Sequence, residues 1–305
     1  MKRDLTSLFD LSTEEILSIL DLAKKLKAKP LSQNNFLKGK SVGLIFEKPS
    51  NRTRVSFEVG VFHLGGKCIY LNPSEINLGI RESVSDVAKT LSRYLDLIVA
   101  RTFTQQTILD LSTHASIPII NGLSDLSHPC QGLTDLLTIQ EHCGGLKDVK
   151  IAYVGDGNNV THSLLIGGAK VGAHINIATP KGCEIEDIVL ESARKIAART
   201  SSQIMITNDP KEAVKDADVI YTDTWISMGQ ENEIESKIKQ FEGFQVNQDI
   251  CKLAKDNFKF MHCLPAHRGQ EVSENIIDGA HAIIFDQAEN RLHTQKAIMM
   301  FLLTN

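Results

Sequence analysis

The sequence predicts an α/β protein of two doubly wound parallel-sheet domains linked by two long helices. Three observations lead there. Short apolar runs alternate with helical patterns almost throughout the 305 residues. The runs are continuous in hydrophobicity and do not alternate with polar residues, as strands covered on both faces of a parallel sheet are. The pattern then restarts beyond Gly144-Gly145, a natural hinge or helix stop, and the length suits two domains of about 150 residues each.

The elements follow in order. Ser12-Thr13-Glu14-Glu15 is a capping box, and Ile16, Leu17, Ile19, Leu20 and Leu22 give the first helix an apolar face. Its Lys24, Lys25, Lys27 and Lys29 read as a solvated C-terminal end. Val42 to Phe46 is a strand, followed by a polar loop and a helix through Val55 to Gly60. The same unit recurs as Cys68 to Leu71 with Ser83 to Tyr94, and as Leu97 to Ala100 with Thr107 to His114; Ile117 to Ile120 closes the set. A long helix, Gly132 to His142, leads out of the first domain. In the second, Ile151 to Val154, Ile175 to Ala178, Ile204 to Ile206, Val219 to Thr222, Phe258 to Met261 and Ala282 to Phe285 are the expected strands, and Ala288 to Leu303 is a terminal helix.

Composition excludes several classes. With 33 Lys+Arg against 37 Asp+Glu, no global basic field attracts nucleic acid or an anionic membrane. No apolar run reaches the length of about 18 residues that a membrane span needs. The N-terminal stretch MKRDLTSLFDLSTEEIL lacks the core of a signal peptide, so a cytoplasmic protein is expected. The 6 cysteines are scattered without zinc spacing, and the 10 histidines include no HExxH; reduced thiols, no metal and no cofactor are expected.

Ligands of open parallel sheets bind beyond the C-terminal strand ends, so the residues there carry the functional signal. After the first strand stands Glu47-Lys48-Pro49-Ser50-Asn51-Arg52-Thr53-Arg54. Ser50 can cap the next helix and leave its first N–H groups for an anion. Arg52 in the first turn opposes the helix dipole, which an oxyanion would relieve; a plain cap with a surface ion pair is the alternative. Arg101 ends the third strand on the same edge, and His128-Pro129-Cys130-Gln131 follows the fourth, with proline fixing the helix entry. Two cations, hydroxyls, an imidazole and an amide suit a small phosphorylated carbonyl compound. In the second half, Gly155-Asp156-Gly157-Asn158-Asn159-Val160 lacks the third glycine of a dinucleotide fingerprint, and no acidic residue ends the next strand, which disfavours NAD. Asp223 follows another strand and suits an ammonium group. Cys263 follows the next; locally it reads as a buried structural thiol or as a nucleophile without an announced His/Asp partner.

These residues together resemble the ornithine carbamoyltransferases over nearly the whole chain. Phe46 to Arg54 is similar to the family's carbamoyl-phosphate loop, and His128-Pro129-Cys130-Gln131 to its second phosphate-side motif. Asp223-Thr224-Trp225-Ile226-Ser227-Met228-Gly229 and His262-Cys263-Leu264-Pro265 resemble the signatures that separate ornithine from aspartate enzymes. Four motifs in the right order are specific where any one is not. The resemblance implies Rossmann-like domains: residues 1–143 for carbamoyl phosphate, with the helix at about 288–305 packing back on it, and 144–287 for ornithine. It implies a homotrimer whose sites lie between the domains and are completed by a neighbour's loop. It places Ser50, Asn51, Arg52, Thr53, Asn77, Arg101, His128, Gln131, Cys263, Leu264 and Arg291 around carbamoyl phosphate, and Asn159, Asp223, Ser227 and Met228 around ornithine. Cys263, Arg101, His128 and Asp223 are the implied catalytic residues. Two departures stand out: Asn51 replaces the usual Thr, and Asn77 replaces a Gln one methylene longer, which leaves Arg81 to supply part of that contact.

The implied reaction makes citrulline and phosphate. The δ-amine, with an ordinary pKa of about 10.4, must lose its proton to attack. Thr53, Arg101 and His128 would stabilise the oxyanion, and Gln131 with the Leu264 carbonyl would orient the carbamoyl NH₂. The rival expectations are a carbamoyltransferase for putrescine or another amine, and a non-catalytic carbamoyl-phosphate-binding relative.

Overall fold

The computed structural model describes residues 2–72, 76, 78–79, 81–226 and 234–304. Its contacts divide the chain into two units, Met1–Leu137 with Glu289–Asn305 and Thr138–Ala288.

After a 3-10 turn at Leu8–Asp10, unit 1 forms its first α-helix, α1 (Thr13–Ala28). Ser12 caps it as the sequence predicts, its Oγ accepting from Glu15 N at 3.2 Å while Glu15 accepts from Ser12 N at 2.8 Å. Ile16, Ile19, Leu20, Ala23 and Leu26 form the buried stripe. Then come β1 (Ser41–Phe46), α2 (Asn51–His63), β2 (Lys67–Leu71), α3 (Val84–Leu91), β3 (Leu97–Arg101), α4 (Gln105–His114), β4 (Ile119–Leu123) and the start of α5 (Pro129–Cys143). The strands are parallel, in the order β2-β1-β3-β4. Leu5 adds a parallel bridge on the free edge of β4, its N donating to Ile119 O at 2.9 Å and its O accepting from Asn121 N at 2.8 Å. Nothing in the sequence pattern announces this pairing.

Unit 2 continues from α5 with β5 (Lys150–Val154), α6 (Asn159–Lys170), β6 (His174–Ala178), α7 (Asp187–Thr200), β7 (Ile204–Thr207), α8 (Pro210–Val214), β8 (Val219–Thr222), α9 (Ile234–Gln240), α10 (Gln248–Cys251), β9 (Lys259–His262), α11 (Glu274–Ile277) and α12 (Ile284–Thr304). Its parallel order is β7-β6-β5-β8-β9. Trp225 stacks on Phe241 at 5.2 Å between ring centroids within a core that also holds Phe244, Phe258 and Phe260.

Two expectations are corrected here. Ala282 to Phe285 is not a strand: only Ala282 bridges to Phe260, and α12 begins at Ile284. Phe285 is 71% exposed, so the run lacks the second buried face that a central parallel strand requires. The fourth strand runs over Ile119–Leu123, later than the expected Ile117 to Ile120. Pro118 precedes it, and a proline contributes no donor to a ladder.

The strand orders locate the ligand-binding edges. In unit 1 the order reverses between β1 and β3, and in unit 2 between β5 and β8. Crevices at such reversals, beyond the C-terminal strand ends, are where open α/β sheets bind ligands. The loops after β1 and β5 therefore hold the two candidate sites. Gly157 in the second loop shows how closely it is packed: a Cβ there would stand 2.5 Å from the Glu184 carbonyl carbon and 2.6 Å from Ile185 N. Backbone cannot yield as a side-chain tip does. Gly157→Ala is expected to destabilise the chain by about 2 kcal/mol or more, read as a lower urea midpoint at unchanged m-value.

Candidate functional site

The unit 1 site starts at the N-terminus of α2. Ser50 is its cap, with Oγ accepting from Thr53 N at 3.3 Å. Asn51 is exposed, Arg52 half-buried and Thr53 buried. The preceding loop is fastened to the segment after β3: Glu47 N donates to Arg101 O at 2.8 Å, and the Glu47 carboxylate accepts from Phe103 N at 2.7 Å. The Lys48 ammonium lies over the Phe103 ring, 4.9 Å from its centroid. In the register of β1 and β3, Phe46 stands opposite Arg101, so the loop and Arg101 share one sheet edge.

At the start of α5, His128 and Gln131 are buried, at 4% and 1% exposure. Arg291, from α12, joins them: Nη1 donates to Gln131 Oε1 at 2.7 Å and Nη2 to Thr53 Oγ1 at 2.8 Å. Gln131 Nε2 donates in turn to Asp135 Oδ1 at 2.7 Å. Burial holds the His128 imidazole well below its usual pKa, and the nearby Arg291, Arg101 and Arg52 charges lower it further. The ring is neutral at pH 7, so one nitrogen donates and the other accepts. Burial, then Arg101, lowers the Lys48 pKa.

The unit 2 site gathers around Asp223, at the end of β8. Oδ1 accepts from Cys263 Sγ at 3.0 Å and from Thr224 N at 2.8 Å; Oδ2 accepts from Asn158 Nδ2 at 3.1 Å. Asn158 also caps α6, accepting from Val160 N at 3.0 Å and Thr161 N at 3.2 Å, and half-buried Asn159 is the first residue of that helix. The local reading of Cys263 as a buried thiol is corrected: it is partly exposed and carries an Asp223 partner that β8 and β9 bring alongside through the Thr222–His262 pairing. Leu264 has φ 59°, unusual for a branched side chain, and its N donates to His262 Nδ1 at 2.9 Å. That bond leaves the proton on His262 Nε2, which faces Glu271 Oε1 at 3.1 Å, with both side chains fully buried. Asp156 pairs with Lys237 at 3.3 Å, and burial raises its pKa against that attraction.

Asp223, His262 and Cys263 offer three donor atoms within 4.8 Å of one another. A metal there would have to displace the Cys263–Asp223 hydrogen bond and one of those made by His262. All six cysteines are free thiols. Burial raises Cys68, Cys130 and Cys251 to about 12 and Cys183 to about 11, so these four remain protonated.

Of the residues singled out from sequence, Ser50, Asn51, Arg52, Thr53, Arg101, His128, Gln131 and Arg291 belong to unit 1, and Asn159, Asp223, Cys263 and Leu264 to unit 2. Asn77, Ser227 and Met228 lie outside the described residues. Sequence reasoning assigned no role to Lys48, Asp135, His262 or Glu271. Asp135 had a usable signal, standing four residues after Gln131 on one helix face. Glu271 had none, since its link to His262 depends on the loop between them.

The chain's two halves match two family models. Residues 3–141 match the carbamoyl-P binding domain of aspartate/ornithine carbamoyltransferase, and residues 147–302 its Asp/Orn binding domain. The chain belongs to the aspartate/ornithine carbamoyltransferase family. Within this family it is 52% identical over 303 residues to an ornithine carbamoyltransferase of Pyrococcus abyssi, covering 99% of this chain and 96% of the relative. It is 54% identical over 302 residues to one of Caldicellulosiruptor saccharolyticus, covering 98% of each. The solved ornithine carbamoyltransferase of Pyrococcus furiosus superposes with a TM-score of 0.97 at 50% identity, over 100% of this chain and 98% of that one. The anabolic enzyme of Campylobacter jejuni gives 0.94 at 42% identity, over 99% of each.

The lowered His128 pKa makes stability depend on pH. Its folded value lies below the unfolded value of about 6.5, so its contribution is full above that pH and is lost as pH falls through the folded value. His63 and His293 are lowered too, again mainly by burial, and act in the same direction. His128→Gln is expected to weaken the acid limb of the unfolding free energy below about pH 6.5 by at most one proton, about 1.4 kcal/mol per pH unit, while His63 and His293 keep a residual slope. Urea titrations of both proteins at several pH values read this difference.

Proposed function

We propose that this protein transfers the carbamoyl group of carbamoyl phosphate to the δ-amine of L-ornithine, giving L-citrulline and phosphate. The observation that carries the reading is the convergence of Thr53, Gln131 and Arg291 with neutral His128, beside the N-terminus of α2. The named relatives support ornithine as acceptor, in preference to putrescine.

In this reading Ser50, Asn51, Arg52 and Thr53 offer the phosphate backbone N–H groups, hydroxyls and a guanidinium, with Arg101 and Arg291 supplying further charge. The same groups stabilise phosphate as the leaving group. Thr53, Arg101 and the neutral His128 donate towards the carbonyl oxygen where negative charge develops; one such donor is commonly worth about 10²–10³ in rate. Gln131 Oε1 and the Leu264 carbonyl accept from the carbamoyl NH₂. Asn159, Asp223, Ser227 and Met228 hold ornithine, while Cys263 and Asp223 orient its amine. Ornithine binds with the δ-amine desolvated, which favours the neutral, nucleophilic form. The enzyme works in the cytoplasm, and the anabolic names among its relatives support a place in arginine biosynthesis.

The protein acts as a homotrimer with shared sites. The resemblance supports this, and α2 leaves Val55 at 55% and Phe62 at 75% exposure, apolar area suited to a subunit interface. Arg81 then serves a neighbour together with Asn77.

The test is citrulline formation by the purified protein from carbamoyl phosphate and ornithine, with putrescine as the competing acceptor. Arg52→Ala is expected to raise the carbamoyl-phosphate Kd about 10–100-fold, the loss of one or two charge-assisted hydrogen bonds, with an unchanged melting temperature. Unchanged affinity would remove Arg52 from the site. For the trimer, Arg81→Ala and Arg101→Ala subunits, each inactive alone, should regain activity when mixed. Mixed trimers that stay inactive would restrict the loop to its own subunit.

A further inference from the structure

We propose that Asp135 is a positioning residue that fixes which end of the Gln131 amide faces carbamoyl phosphate, and so makes the site selective for a carbamoyl over an acyl group. The inference rests on the carbamoyl-transfer reading and deepens it. The two ends of a glutamine amide have nearly the same shape, so burial alone leaves its orientation undecided. Here the two hydrogen-bond partners decide it. Asp135, fully buried, accepts Gln131 Nε2–H at its Oδ1, 2.7 Å away. Arg291, donor-only, gives Nη1–H to Gln131 Oε1 at 2.7 Å. A flipped amide would set its oxygen against Asp135 Oδ1 and its NH₂ against the guanidinium, losing both hydrogen bonds in a buried place.

The orientation matters because of what remains on the oxygen. A carbonyl oxygen accepts two hydrogen bonds, and Arg291 uses one. The second lone pair suits an N–H of the carbamoyl group and has nothing to accept from the methyl of acetyl phosphate. Asp135 also polarises the amide through Nε2, which makes Oε1 a better acceptor. Without Asp135 the amide is held from one side only, and part of the population presents NH₂ to the carbamoyl NH₂.

Calorimetry with carbamoyl phosphate and acetyl phosphate tests this on the full-length protein, alongside steady-state citrulline formation. Asp135→Asn keeps the shape and turns the carboxyl group into an amide that itself can face Gln131 either way. It should weaken carbamoyl phosphate about 10-fold and leave acetyl phosphate within about twofold, with KM for carbamoyl phosphate rising accordingly. In a Gln131→Ala background the same change should add less than about twofold, because Asp135 acts through an amide no longer present. Equal weakening of both phosphates, or the same loss with and without Gln131, would mean that Asp135 only supports the fold and would overturn the proposal. So would an unchanged carbamoyl-phosphate affinity. If Asp135→Asn does not fold, Asp135→Glu, which keeps the carboxyl group but displaces it, should show the same selective loss for carbamoyl phosphate at smaller size; a loss shared by acetyl phosphate would overturn it equally. Wild-type protein that neither binds carbamoyl phosphate nor makes citrulline would overturn the carbamoyl-transfer reading itself, whatever Asp135 does.

Discussion

Arg291 is only 4% exposed, and its guanidinium nitrogens Nη1 and Nη2 find acceptors on segments far apart in sequence. It reaches Thr53 in the first turn of α2 and Gln131 in the first turn of α5, while itself standing on α12. Breaking a buried charge from its partners costs several kcal/mol, so these three helix segments are held in register together. Nearby, Lys27 Nζ donates to Asn290 Oδ1 at 2.8 Å, and Lys296, wholly buried, donates to Pro30 O at 3.0 Å. Both bonds tie α12 to the end of α1. The helix that carries Arg291 is thereby fixed on either side of it.

The same residues set an electrostatic problem. Arg52, Arg101 and Arg291 all repel a proton from His128, and burial does so more strongly than any of them. The imidazole answers by staying neutral, which spares the ligand-free protein a fourth cation. For the proposed reaction the neutral form is also the useful one. A neutral imidazole with a low pKa is a weak acid that donates a hydrogen bond to a developing oxyanion without giving up its proton. In that proposed reaction the arginines would supply the charge that a dianionic phosphate needs.

How much of this the sequence disclosed depended on distance along the chain. The Ser12 and Ser50 caps were legible because cap and helix are neighbours, and the strand-end position of Arg101 because apolar runs end visibly. Proline 129 announced the entry of α5 for the same reason. Ala282 to Phe285 misled because an apolar run of that length serves a strand or a helix start equally well, and only the exposure of Phe285 separates them. Leu5 on the edge of β4 was invisible, as a single bridged residue has no periodicity. The partner of Cys263 was invisible too. Asp223 lies forty residues earlier and becomes its neighbour only because β8 and β9 pair in parallel with Thr222 opposite His262. The family resemblance named both residues but could not supply the hydrogen bond between them.

That hydrogen bond constrains what unit 2 can do. A carboxylate offers about four lone-pair sites, and Cys263, Thr224 and Asn158 occupy three on Asp223 among the described residues. The Asp223 carboxylate is therefore held in one orientation, with about one lone-pair site left over among the described residues. The thiol whose S–H donates a hydrogen bond to Asp223 keeps its sulfur lone pairs, so it is also a weak acceptor. The backbone beyond it is set as firmly: Leu264 stays in its left-handed conformation because its N–H is held by His262, and His262 is held by buried Glu271. A left-handed branched residue costs about 1–2 kcal/mol, a strain the surroundings must offset. Offsetting it makes sense if the Leu264 carbonyl has to point in one direction. In the proposed carbamoyl transfer, a site built from interlocked hydrogen bonds would contribute fixed directions for its N–H groups and carbonyls, set by geometry before any ligand arrives.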